Sequence, residues 1–234
     1  MSGSSGCGER FQTRNRCPAP SSRAAMALPM FPSPMNPMSM TRERMEALLR
    51  EYLGVTHFIW LRLGVYNDET DGHIDNMACF LAPGKVCLTW TDDRADPQYE
   101  RSQEASERLA AASDARGRRI EVVKLPMPGP LYMTEAEAAG LAASAACKPR
   151  RAGERLAASY VNFYFANGGL VMPRLDERTD AEAAAILRRA CPGREVIGVP
   201  AREILLGGGG IHCITQQVPD PRAPRTRPVP VGAG

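Results

Sequence analysis

The chain has 234 residues, of which 29 are basic and 26 acidic, for a formal net charge of +3. That balance, with no Lys/Arg-rich run carrying interleaved aromatics, argues against nucleic acid as a partner. A composition of 44% hydrophobic and 24% charged residues suits a globular domain with a sizeable core, and no apolar run approaches the roughly 20 residues of a membrane helix.

The seven cysteines (Cys7, Cys17, Cys79, Cys87, Cys147, Cys191 and Cys213) are odd in number and scattered, with no CxxC. This disfavours a disulfide scaffold or zinc module and suits a reducing interior. The N-terminus lacks the apolar segment of a secretory signal. Residues 1–40 stand apart, with six Pro, six Met, seven Ser and Glu9 as their one acid. Such a stretch cannot bury enough apolar surface to offset its ordering entropy, so it reads as a disordered leader, transit-like or non-native. The cytoplasm is the expected setting, with a plastid the alternative that this leader admits.

Met45, Leu48, Leu49 and Tyr52 fall on one helical face, so 42–53 is an amphipathic helix, capped by Thr41 and ended by Gly54. A strand follows at 57–61. The next unit has strands near 77–81 and 86–91 about the Pro83-Gly84 turn, a helix over 98–113 and a strand at 120–125. Pro128-Gly129-Pro130 and a short helix opened by a Thr134/Glu137 capping box form an insertion. A second unit repeats the pattern. It has strands at 158–165 and 170–172 about Asn167-Gly168, a helix from a Thr179/Glu182 box to 190, and a strand at 195–199. Repeated strand–strand–helix–strand units suggest an α/β propeller or array. Residues 42–61 read as the back half of such a unit without its front half, and 204–217 as the start of another strand pair. Residues 219–234 carry five Pro and read as a disordered tail.

Two stretches could carry chemistry. Asp71-Gly72-His73-Ile74-Asp75-Asn76 sits where a strand should begin, and residues two apart on a strand share a face. His73 and Asp75 would then form a proton carrier beside a cation-binding carboxylate, although a polar surface turn reads as easily from HxD alone. Gly207-Gly208-Gly209-Gly210 would let the backbone approach a ligand closely, and Cys213 follows as a candidate nucleophile. The blander alternative is a flexible loop beside an inert buried cysteine. A P-loop is excluded by the missing Lys-Ser/Thr. His212, adjacent to Cys213 on a strand, would face away from it. Asp68, Glu69 and Asp71 lack EF-hand spacing and read as a solvated turn. Cys79, Cys87, Trp60 and Trp90 read as core, as does the apolar run 156–165. A zinc site from His57, His73, His212 and the cysteines has no supporting spacing.

With these residues in view, the stretch from about Thr41 to Pro219 resembles agmatine deiminase, within the guanidine-modifying superfamily. The resemblance is carried by YNDETDGHIDN at 66–76, DDRADPQYERS at 92–102, KLPMPGPLY at 124–132, RLAASYVNFYFANGG at 155–169 and REILLGGGGIHCITQQ at 202–217. It implies a five-bladed α/β propeller, of which about three blades fall here, with 41–218 the C-terminal part of the catalytic domain. It also implies hydrolysis of agmatine to N-carbamoylputrescine and ammonia, without metal or organic cofactor. Cys213 would be the nucleophile, His73 the proton carrier and Asp75 the guanidinium ligand, with Gly209 and Gly210 beside the substrate. The pattern departs at Gly210, where the family carries Asn.

The other guanidinium-binding acids of the family would precede Thr41, so weak or no activity is expected of this length of chain alone. A homodimer is compatible with this reading. The alternatives are a non-catalytic fragment that partners a full-length deiminase subunit, and an arginine or peptidyl-arginine deiminase.

Overall fold

A computed structural model describes residues 24–27, 40–141 and 150–218. The leader and tail expectations therefore fall mostly outside the described residues. Within the expected leader, Ala24–Ala27 forms a strand, β1. Helix α1 spans Arg42–Leu53; the Thr41 hydroxyl accepts from Arg44 N at 3.2 Å, and Gly54 at φ 64° supplies the left-handed stop. Strand β2, His57–Trp60, pairs in parallel with β1, so residues 42–61 do gain a strand in front of their helix.

The first full unit matches its sequence pattern within two residues at each end. Strands β3 (Ala78–Ala82) and β4 (Lys85–Trp90) are antiparallel. Helix α3 (Gln98–Ala111) crosses back, and β5 (Glu121–Pro126) lies parallel to β4. The second unit repeats this with β6 (Tyr164–Ala166), β7 (Gly169–Arg174), α5 (Asp180–Ala190) and β8 (Glu195–Pro200). The sheet of each full unit has three strands with its middle strand parallel to the last, while β1 and β2 form a two-stranded sheet. Seen this way, β1–α1–β2 is the last three elements of a unit. The insertion carries α4, Glu135–Gly140, with its Thr134/Glu137 capping box formed.

Each crossover helix is a wedge. Helix α3 packs on its own β4 and β5 and also on β2, while α5 packs on β8 and on β5 of the preceding unit. Leu109 and Ala105 thus share a core with Ile59, Val86 and Leu88, and Leu187 and Ala183 share one with Leu125, Leu170 and Met172. Cys87, Leu88 and Val86 are fully buried, as the patterning required, and Trp90 is 5% exposed. Trp60 is half-buried and donates from Nε1 to Glu46 at 2.8 Å.

Four expectations fail locally, two of them for a hydrogen-bonding reason and two for a backbone one. The predicted strand at 158–165 shrinks to β6. Residues 156–163 are buried but irregular, because their polar groups bond elsewhere: Leu156 N to Leu131 O at 2.8 Å, Val161 N to Ser159 Oγ at 3.0 Å. The Thr179/Glu182 box does not form. The Thr179 hydroxyl meets the Tyr160 hydroxyl at 2.8 Å, and Asp180 Oδ1 takes Tyr160 OH at 2.6 Å and Leu175 N at 2.9 Å. Residues 73–76 begin no strand. Asp71 and Gly72, at φ 63° and 98°, turn the chain straight into a single helical turn, α2 (Ile74–Met77). And 204–217 is no strand pair. It is helix α6 (Arg202–Leu206), a glycine run and a 3₁₀ turn at His212–Ile214. Glycines offer a strand no side chains to pack.

Among the described residues no helix is long and apolar enough to cross a membrane. The loop that carries His73 borders a buried fork between Arg155 and Asp96. Arg155 Nη1 and Nη2 donate to Asp96 Oδ1 and Oδ2 at 3.0 and 2.8 Å, with side chains 10% and 7% exposed, and the Arg155 carbonyl accepts Asn67 Nδ2 at 2.7 Å. Removing one partner strands a buried charge. Arg155→Met is expected to lower the unfolding free energy by about 3–5 kcal/mol, read as a shift of the urea midpoint.

Candidate active site

Two loops that are distant in sequence meet at the end of the sheets. One is 66–77, ending in α2. The other is 207–214, between α6 and the 3₁₀ turn. Arg150 joins them: it ion-pairs with Glu69 and donates from Nη1 to the Leu206 carbonyl. Burial raises the Glu69 pKa, and its contact with Arg150 opposes this. Arg202 sets α6 itself, donating from Nε and Nη2 to Glu137 Oε1 and Oε2 at 2.6 and 2.9 Å.

At the meeting point the Cys213 thiol is exposed and donates to Asp75 Oδ2 at 3.2 Å. The same Oδ2 meets His212 Nδ1 at 2.8 Å. The sequence reading put His212 on the opposite face from Cys213. The 3₁₀ turn replaces that strand and brings both side chains to one carboxylate. Asp75 and Cys213 are therefore together, as expected from sequence, though through a helical turn and not a shared strand face. His73 caps α2, its ring exposed and bonded to no other described residue, yet close enough for its charge to favour ionised Asp75.

The glycine run closes against protein groups. A Cβ on Gly208 would sit 2.5 Å from Arg150 Nη2, one on Gly209 2.8 Å from Cys213 Cβ, and one on Gly210 2.5 Å from Asn162 Oδ1. Real Cβ atoms do not approach so closely, so a side chain at Gly209 would displace the Cys213 side chain. Behind the loop lies a cavity of about 10 Å³, lined by Asn76, Ser159, Asn162, Gly209 and Gly210 among others. That is room for one water at most, so an organic molecule can reach the thiol only from its exposed side.

Sequence reasoning passed over three residues here. Asn162 is buried, 1% exposed, inside the apolar run 156–165. Its Nδ2 donates to Cys213 Sγ at 3.1 Å, and its Oδ1 accepts His212 N at 2.8 Å and Cys213 N at 3.3 Å. Asn76, 3% exposed, accepts Asn162 Nδ2 on its Oδ1 at 2.8 Å. Asp68, which read as part of a solvated turn, accepts Asn76 Nδ2 at 3.0 Å and both Thr70 N and Thr70 Oγ1 at 2.9 and 2.6 Å. A polar residue inside a run too apolar for a loop was the available signal, since buried amides are almost always hydrogen-bonded.

The surroundings favour a protonated Cys213 thiol. Partial desolvation raises its pKa although the residue is exposed, and so does neighbouring Asp75, while bonds from Gly210 N–H and Asn162 pull it down without winning. Burial opposes ionisation of Asp75, but the bonds from His212 and Cys213 and the charges of His212 and His73 outweigh it, leaving its pKa lowered. Its other oxygen, Oδ1, is buried with no bonding partner among the described residues. The bond to Asp75 raises the His212 pKa against the effect of burial. Among the described residues no group of three or more His, Cys, Asp or Glu is placed to hold a metal ion.

The sign of the pH dependence follows. His212 has a folded pKa above its unfolded value, so its pairing with Asp75 stabilises below the ordinary histidine range and is lost as pH rises through the folded pKa. Asp75→Asn is expected to lower the His212 titration midpoint, followed by the chemical shifts of its ring protons, and to lower that of the Cys213 thiol as well.

Comparisons with known proteins place this geometry in context. A protein of Yersinia pseudotuberculosis, provisionally named agmatine deiminase, is 59% identical over 180 residues, 77% of this chain and 49% of its own length. One of Shewanella baltica with the same provisional name is 58% identical over 77% of this chain and 48% of its own. The chain thus spans about half the length of the curated relatives it matches. The solved agmatine deiminase of Enterococcus faecalis superposes with a TM-score of 0.75 at 35% identity, covering 83% of this chain and 53% of that one. The fold shared with these structures is α/β, and a sequence profile matches residues 31–219: the chain belongs to the Porphyromonas-type peptidyl-arginine deiminase family.

Proposed function

We propose that this chain carries the nucleophile side of an agmatine deiminase site, for hydrolysis of agmatine to N-carbamoylputrescine and ammonia. The observation that carries the reading is the thiol of Cys213 against the carboxylate of Asp75, which its bond from His212 keeps ionised. A guanidinium is planar, cationic and rich in N–H donors, which suits an acceptor-only carboxylate. Its arrival neutralises Asp75, removing one of the two effects that keep the thiol protonated. The reacting cation thereby favours its own nucleophile.

Cys213 as thiolate adds to the central guanidinium carbon, and the tetrahedral adduct expels ammonia once that nitrogen is protonated. Water then adds to the S-amidino carbon, the C–S bond breaks, and the ureido product leaves with the thiol restored. We assign the proton transfers to His73, whose ring is not committed to another described group. His212 is held by Asp75 and serves to keep that carboxylate ionised and oriented. Gly209 and Gly210 border the substrate through backbone only.

The strand–strand–helix–strand units are, on this reading, blades of the five-bladed propeller implied by the resemblance, about three of them within 41–218. The cytoplasm is the expected setting. The family description favours one second reading, an arginine or peptidyl-arginine deiminase. It keeps the chemistry and changes the substrate, so arginine and a peptidyl-arginine are assayed beside agmatine.

Two measurements test the proposal. Ammonia and N-carbamoylputrescine release from agmatine should disappear in Cys213→Ala and fall about 10²–10⁴-fold in His73→Ala. Independently of turnover, chloroacetamidine, a cation, should alkylate Cys213 faster than neutral chloroacetamide, and Asp75→Asn should erase that preference. Equal rates with both reagents in the unmodified chain would remove the basis for guanidinium binding at Asp75.

A further inference from the structure

The three amide and carboxylate side chains behind the nucleophile form a chain with only one self-consistent direction. Asp68 is acceptor-only when ionised, and it already receives Thr70 N and Thr70 Oγ1 on Oδ1. The group that Asn76 turns towards Asp68 Oδ2 must therefore be its NH₂, at 3.0 Å. That leaves Asn76 Oδ1 facing Asn162, so Asn162 must present its own NH₂ there, at 2.8 Å. The same NH₂ then reaches Cys213 Sγ at 3.1 Å, and the Asn162 oxygen is left to receive the backbone N–H groups of His212 and Cys213. His212 N–H also reaches the Asn162 backbone carbonyl at 3.2 Å, but the Cys213 N–H independently demands an acceptor at that place, so the two ends of the chain agree. An Asn162 flipped by 180° would put an oxygen against the sulfur and an NH₂ against two backbone donors.

From this we infer that Asn162 is the positioning residue of the nucleophile, with Asp68 and Asn76 setting the direction of its amide and Gly210 leaving the room in which it sits. Its oxygen replaces the ladder partner that the 3₁₀ turn lacks. Its nitrogen is a donor to the sulfur and stabilises the thiolate over the thiol. Gly210 belongs to the device because a Cβ there would lie 2.5 Å from Asn162 Oδ1 and 2.6 Å from its Cγ. The small residue keeps the amide in place, and not the backbone conformation, since no left-handed φ occurs at Gly210. This inference rests on the reading of Cys213 as the nucleophile, and it extends that reading to three side chains, of Asn162, Asn76 and Asp68, that touch neither substrate nor product.

The test measures the thiol directly. Iodoacetamide alkylation of Cys213 is followed against pH by mass spectrometry of its peptide, in the full chain and in Asn162→Asp and Asn162→Ala. Asn162→Asp keeps an oxygen for the two backbone N–H groups and removes the donor to sulfur. Its alkylation midpoint is expected to rise by at least about one pH unit, a tenfold loss of rate on the acid side. Asn162→Ala is expected to rise as well. Unchanged midpoints in folded variants would overturn the inference. Should neither variant fold by circular dichroism, Gly210→Ala decides, because it leaves Asn162 in the sequence and only crowds it. Its midpoint is expected to rise, and an unchanged one overturns the inference. A raised midpoint in a chain whose Cys213 shows no preference for chloroacetamidine over chloroacetamide would keep Asn162 and sink the proposed function. That preference with an unmoved midpoint would do the reverse.

Discussion

The site depends on one buried carboxamide. The loop from Gly207 to Ile214 has no neighbouring strand to bond and few side chains to pack, and nothing in its own sequence would fix it. Asn162, on a segment some fifty positions earlier, holds two of its backbone N–H groups with one oxygen. That segment, 156–163, is itself irregular because its polar groups are committed to such contacts rather than to a ladder. The buried polar network continues inward. Ser159 and Thr89 share a 2.8 Å hydrogen bond, the Thr89 hydroxyl donates to the Asn76 carbonyl at 2.7 Å, and Ser102 donates to the Thr89 carbonyl at 2.7 Å. The position of the thiol is thus traceable, bond by bond, to helix α3 and strand β4. Buried networks of this kind are costly when partly satisfied and specifying when complete.

Under the proposed function, Asp75 faces two demands that pull apart. A carboxylate beside a thiol suppresses the thiolate that chemistry needs, and a carboxylate is also what a guanidinium needs in order to bind. Placing both functions on one residue makes reactivity conditional on occupancy. His212 settles the other half of the problem. Its bond keeps Asp75 ionised despite burial, so the carboxylate is ready before any ligand arrives.

Much of the fold was readable from the chain because its elements are set by local rules. The apolar periodicity of 42–53, the turns at Pro83-Gly84 and Asn167-Gly168, and the two matching units all follow from residues near one another in sequence. The site was readable in part. Asp75 and Cys213 could be named by resemblance, but the turn that joins them could not. Strand reads from 73–76 and from 204–217 because the strand–strand–helix–strand repeat places a strand at both points. The backbone there is instead decided by side chains far along the chain: Asn162 for the 3₁₀ turn, and Asp68 accepting from Asn76 for α2. Tertiary hydrogen bonds overrode local pattern, and the same cause dissolved the Thr179 cap in favour of Tyr160. His212 was assigned to the wrong face by the same assumption.

The raised thiol pKa has a consequence for durability. Peroxide and other oxidants attack the thiolate, not the thiol, and an accessible low-pKa cysteine is the usual point of irreversible damage in a cell. Cys213 is accessible but held protonated by its surroundings. Its sulfur is therefore poorly reactive towards stray oxidants for as long as no cation sits beside Asp75. The carboxylate that keeps this thiol protonated thus also shields it from oxidation.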